Sequence, residues 1–159
     1  MIPDDQSQSV QIQIALRDAT RALKLGGLID DEIEARDSYF TPGVGPFQGV
    51  TIHDIGEGYD AGTLGTHDVA YKIAFTFCDA ITGNSIVSSD WLLRWREGCR
   101  RRFTDQRLGY GTDEGVQRSI VKLLSPPTPI ENVKSFPNHR IHRLVFAVWA
   151  RESTRVPRT

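Results

Sequence analysis

The apolar positions of this chain fall into separate runs, and their spacing tells helices from strands. Between Val10 and Leu25, Ile12, Leu16, Ala19 and Leu23 share one helical face, with Ser7 or Ser9 placed as an N-cap. Val10, Ile12 and Ile14 also alternate with glutamines, so a short strand competes for the first turns. The length of the pattern and the Ala, Leu, Arg and Lys content after Ile14 favour the helix, with Gly26-Gly27 as its stop. LIDDEIEARDSYF follows as an acidic connector with room for a helical turn. TPGVGPFQG, with two prolines and three glycines, reads as a loop.

Strand patterns come next. GVTIHDI, through Val50, Ile52 and Ile55, gives a short first strand. The stretch GEGYDAGTLGTHD has almost nothing to bury and reads as an exposed, mobile hairpin loop over about 56–68. Val69, Tyr71, Ile73, Phe75 and Phe77 alternate with Ala70, Lys72, Ala74, Thr76 and Cys78, the clearest strand in the chain, with one bulky and one small face. Gln117–Leu124 reads as a third strand, and 125–137 as a proline-rich loop, because proline cannot serve inside a ladder. In the last strand His142, Leu144, Phe146, Val148 and Ala150 face one way and Ile141, Val145, Ala147 and Trp149 the other. A strand apolar on both faces is either central or covered by another subunit.

Between these strands lies the helix that organises the rest, Ser89–Leu108. Trp91, Trp95, Cys99 and Phe103 recur every fourth residue, Leu92 widens their stripe, and six arginines fall mostly outside it. The element order is then α-β-β-α-β-β. Its simplest arrangement is an α+β fold: an antiparallel sheet of about four strands, two hairpins, with both helices packed on one face. The 159 residues make a single domain, since no repeat or composition break divides them. The basic tail 151–159 reads as frayed.

Charge changes this picture more than composition does. The net charge is only −1, yet Asp30–Asp37 carries five acids and one arginine, a local −4. Asp90–Arg107 carries six arginines and three acids, a local +3, and Asn138 to the end five arginines and one glutamate, a local +4. Segregated patches without net charge suit docking to copies of the same chain or to a neighbour rather than general nucleic-acid binding. Cys78 and Cys99 read as buried thiols of a reducing compartment. No basic and apolar signal opens the sequence, and no run is long enough to span a membrane, so synthesis in the cytoplasm is expected.

A search for chemistry gives little. Gly56-Glu-Gly58 is followed by glycine at 62 rather than 61 and leads to a strand, so it lacks the helix N-terminus that a dinucleotide fingerprint needs. His139 and His142 enter a strand three residues apart and face opposite ways. His53-Asp54 and His67-Asp68 flank one loop and are the remaining metal candidates. GxSxG and HExxH are absent from the sequence. The reading is therefore of a protein that is no enzyme and holds no cofactor and no metal. The arginines of the second helix are either solvated and locally paired, or they meet the acids of a neighbouring subunit. The candidate interface residues are Arg94, Arg100, Arg101, Arg102, Asp30, Asp31, Glu32, Glu34 and Trp149.

Taken together, the amphipathic Val10–Leu25 helix, GVTIHDI, the glycine-rich loop, DVAYKIAFTFCDA, WLLRWREGCRRRFTDQRL and a final strand closing in Ala150–Glu152 resemble the tail terminator, or tail completion and neck, proteins of long-tailed bacteriophages. The resemblance is one of pattern and length over most of the chain, and Trp95–Leu108 is its most particular piece. It implies a ring, commonly of six subunits, that caps the tail tube and joins the head connector. The hairpin loop (Gly56, Glu57, Gly58, Tyr59, Asp60, Gly62 and Leu64) would then reach toward the adjoining ring. The implied partners are the chain itself, a tail tube protein and a head-completion or connector protein, in the virion, with no membrane and no sequence-specific nucleic acid. The proline-rich excursion and the arginine density depart from the commonest members, which leaves a neighbouring neck piece open. The alternative is a cytoplasmic binding module whose arginine-rich helix holds an acidic partner or nucleic acid.

Overall fold

A computed structural model describes residues 7–61, 66–81, 87, 90–110, 117–129 and 138–153. The first helix, α1 (Gln8–Ala22), is capped by Ser7, whose Oγ accepts the Val10 N–H at 3.2 Å. Ile12, Leu16 and Thr20 are its buried residues, and the Thr20 hydroxyl is satisfied by the Leu16 carbonyl at 2.7 Å. The helix stops before Gly26-Gly27. Its last turn tightens, Leu23 N–H bonding Thr20 O at 3.1 Å, and Lys24 turns the chain at φ 53°. Gly26 serves packing instead, because a Cβ there would stand 2.6 Å from the Trp91 ring.

The acidic connector forms a 3-10 turn at Asp30–Glu32 and then a strand too short to show periodicity, β1 (Ile33–Ala35). Two further short strands, β2 (Phe40–Thr41) and β3 (Gly45–Pro46), pair in a small antiparallel sheet where the sequence reads as loop. Next come β4 (Gly49–Ala61) and β5 (Thr66–Ala80). β1 pairs with β4 in parallel, Ile33 opposite Val50, an approach so close that a Cβ on Gly49 (φ 123°) would lie 2.2 Å from the Glu32 carbonyl oxygen.

Most of the expected hairpin loop is ladder. Gly56 pairs with Lys72, Gly58 with Ala70 and Ala61 with His67, past a bulge between Asp54 and Gly56. Asp54 Oδ1 accepts the Gly56 N–H at 2.7 Å and shapes that bulge. β4 needs few apolar side chains here because its backbone is paired by β5, which β8 secures from the other side.

The second helix, α2 (Asp90–Phe103), buries Leu92, Trp95, Cys99 and Phe103, while Trp91 stays 47% exposed. A four-residue step drifts off a 3.6-residue turn, so the stripe starts at Leu92. After a turn at Asp105 (φ 60°) comes β6 (Arg107–Tyr110), a strand hidden in the sequence by its length and by Gly109. β7 (Gln117–Pro129) runs past the expected Leu124 into the prolines, with register shifts between Leu123 and Ser125 and between Ser125 and Thr128. No strand lies on the outer side of this segment among the described residues, which is where a sheet tolerates proline. β8 (His139–Ser153) is the long central partner.

These elements correct the expected four-stranded antiparallel sheet with two helices on one face. The fold is mixed α+β, but its sheet has six strands in the order β1-β4-β5-β8-β7-β6, one of them parallel, curled into a half-barrel, beside the separate β2–β3 sheet. α1 packs against β1, β4 and β6, so it touches both ends of the strand order; α2 crosses β5, β7 and β8. The core gathers Ile12, Leu16, Trp95 and Phe103 with inward residues of β4, β5, β7 and β8. At its centre Phe75, Phe103 and Phe146 meet with ring centroids 5.4 to 5.9 Å apart.

Candidate functional site

The arginine-bearing face of α2 is partly neutralised by the helix itself. Arg94 Nε lies 2.6 Å from Asp90 and Arg101 Nη2 lies 2.6 Å from Glu97, both at i,i+4 spacing and solvated. Such pairs contribute about 0.3–0.5 kcal/mol each. Arg94 also lies over the Trp91 ring, 5.2 Å from its centroid, and Arg96 bonds His142 Nδ1 at 2.5 Å, tying α2 to β8. Arg102 sits over the Phe103 ring at 5.3 Å, and neither it nor Arg100 has an ion pair among the described residues.

The acids stand elsewhere. Asp30 and Asp31 are exposed on the 3-10 turn, where Glu32 Oε1 accepts the Ile29 N–H at 3.0 Å; Lys24 lies 3.7 Å from Asp30. Glu34 is on β1 opposite Thr51. Among the described residues no ion pair joins this segment to the arginines of α2. Gly56, Glu57, Gly58, Tyr59 and Asp60 belong to the β4 ladder, while Gly62 and Leu64 lie outside the described residues. Trp149 is half-buried on β8, between Ala70 and Ile120 in the register. His53 pairs with Ala74 and His67 with Ala61, so the two histidines stand far apart along the hairpin. Among the described residues no three His, Cys, Asp or Glu side chains gather as a metal site. No described helix is long and apolar enough to cross a membrane.

Cys78 and Cys99 are free and buried, one on the small-residue face of β5 and the other on α2. Burial, with Asp79 nearby, pushes the Cys78 thiol up to about 12, and burial alone raises Cys99. Neither is a thiolate nucleophile at neutral pH.

The chain matches no protein-family model, and comparison with curated proteins finds no match.

Two features escape sequence reasoning. One is a polar row across the sheet, Glu34, Thr51, Thr76 and Arg143 at successive register positions on β1, β4, β5 and β8. Thr51 Oγ1, Thr76 Oγ1, Arg143 Nε and the nearby His53 Nδ1 are buried there with no hydrogen-bond partner among the described residues. Only the register brings these residues into line. The other is a groove between α1 and β6, lined in part by Arg102 and Arg107. β6 is one of the short strands that sequence periodicity misses, so its groove is missed with it.

Among the described residues, both ends of the sheet are open. β1 covers β4 only at 50–52, and β6 covers β7 only at 117–120. Beyond those short strands, among the described residues, no strand pairs with the outer side of β4 or β7. Ile55 and Leu124 stand 43% and 51% exposed along those uncovered stretches. An uncovered strand edge with apolar neighbours is a template for another chain.

Proposed function

We propose that this chain is a structural subunit whose work is assembly rather than turnover, and that it belongs to the neck or tail of a long-tailed bacteriophage. There it would form a ring, expected to hold six copies, that caps the tail tube and joins it to the head connector. The observation that carries the assembly reading is the pair of sheet edges left open among the described residues: β4 and β7 outgrow their outer partner strands, with exposed Ile55 and Leu124 beside the uncovered stretches. Covering those edges with copies of the same chain, or with an adjoining virion component, removes both liabilities. The phage placement rests on the resemblance of the Val10–Leu25 and Trp95–Leu108 segments and of the strands between and after them.

Native mass measurement and negative-stain imaging of the full chain, alone and with a tail tube protein, test this reading. Rings alone or on the tube are expected. A chain that stays monomeric under both conditions, and shifts with DNA in a salt-sensitive way, would make the arginine helix a binding site for nucleic acid or an acidic partner instead.

A further inference from the structure

Assembly through one kind of subunit requires that a surface of one copy fit a different surface of the next, or itself. Two surfaces among the described residues are complementary. The groove between α1 and β6 has a volume of about 340 Å³. Ile14, Ala15, Ala19 and Leu108 give it an apolar lining, and Arg102 and Arg107 are exposed along it. Asp18 lines it too, but its carboxylate is held by Arg17 at 3.0 Å. Among the described residues, neither Arg102 nor Arg107 has an acidic partner.

The matching shape is the turn after α1. Ile29 is 64% exposed, and exposed Asp30 and Asp31 follow it, so the turn presents one apolar side chain beside two carboxylates. The turn is pre-organised: the Ile29 N–H bonds Glu32 Oε1, and the Ile29 carbonyl accepts the Glu32 N–H, each at 3.0 Å. Asp31 has no ion pair among the described residues. This turn precedes β1 and the groove borders β6, which are opposite ends of the strand order, and α1 packs against both.

We propose that the Ile29–Asp31 turn of one copy seats in the α1–β6 groove of the next, Ile29 against the apolar lining and the two aspartates toward Arg102 and Arg107. The contact joins unlike surfaces, so it repeats head to tail, and it closes into a ring when the rotation per subunit divides a full turn. This rests on the assembly reading and names its interface. Charge sets the register, while covering Ile29 supplies affinity.

Sedimentation velocity of the full chain tests it. Ile29→Ser, the pair D30K with D31K, and the pair R102E with R107E should each lower the association constant at least tenfold. Circular dichroism identifies any variant that has lost its fold, and Ile29→Ser, a surface change, is the arm least exposed to that. Mixing the lysine-turn variant with the glutamate-groove variant should restore association, since each turn then meets a groove of opposite sign. Wild-type association that all the variants retain, or a mixture that stays dissociated, overturns this interface and leaves the assembly reading standing. A wild-type chain that is monomeric at every concentration and on the tail tube overturns both.

Discussion

The two faces of the curled sheet are both buried, by opposite means. On one face Val69, Tyr71, Ile73, Phe75 and Phe77 of β5 and Leu144, Phe146 and Val148 of β8 fill the core with α1 and α2. On the other, Ala74, Thr76 and Cys78 are wholly buried, Ala70, Val145 and Ala147 nearly so, and none of them belongs to that core. The first face is held by volume: three interlocking aromatics gain dispersion and lose water. The second is lined mostly by small side chains, and it carries the buried polar atoms that have no hydrogen-bond partner among the described residues. The same strand therefore follows two rules, and burial alone does not tell which one governs a residue.

Phe75→Ala should break the first face most severely, costing about 3–5 kcal/mol in denaturant unfolding, because it empties the centre of the aromatic triple. A loss under 1 kcal/mol would mean that the core collapses onto the gap. Ala74→Leu attacks the second face by the opposite route, adding volume to a residue with no exposure; about 1–3 kcal/mol should be lost. If Ala74→Leu is neutral, the small-residue face has room and the contrast fails.

Acid should act on both faces through their histidines. Burial, then Arg96 and Arg140, hold the His142 imidazole down to about 4; burial, then Arg143, lowers His53, with Asp54 opposing. Below an ordinary histidine value near 6.5 the unfolded chain takes a proton that the folded chain refuses. Stability should thus fall as pH drops from about 6.5 and level off near 4. For half-buried His142 the loss is about 1–2 kcal/mol after solvent screening. His142→Asn should shrink that slope and leave the His53 share; an unchanged slope would place the titration elsewhere. The smallest effect is the most discriminating. Thr76→Val keeps the shape and removes a hydroxyl that has no partner among the described residues, so it should be neutral or stabilising by up to about 1 kcal/mol. A loss above that would show that Thr76 Oγ1 has a partner, water included.

The correspondence between sequence and structure is uneven for physical reasons. α1 and its Ser7 cap, β5, β8 and most of α2 follow from periodicity, because each carries enough residues to repeat a pattern. β1 and β6 have three and four residues, too few for a period, and they are the strands that complete the sheet and border the proposed turn and groove. The acidic and arginine-rich segments were legible as charge. That Arg94 and Arg101 pair within their own helix follows from i,i+4 spacing; that Arg102 and Arg107 share a groove depended on where β6 returns beside α1.

Local composition by itself determined α1, most of α2, β5 and β8, and the two-faced character of β5 and β8, since alternation and helical spacing are properties of neighbouring residues. Tertiary structure decided the strand order, the parallel β1–β4 pairing, the hairpin that extends through GEGYDA and the line of Thr51, Thr76 and Arg143. Those depend on pairing and register between distant segments, where a shift of one residue exchanges the faces of a strand while its sequence stays the same.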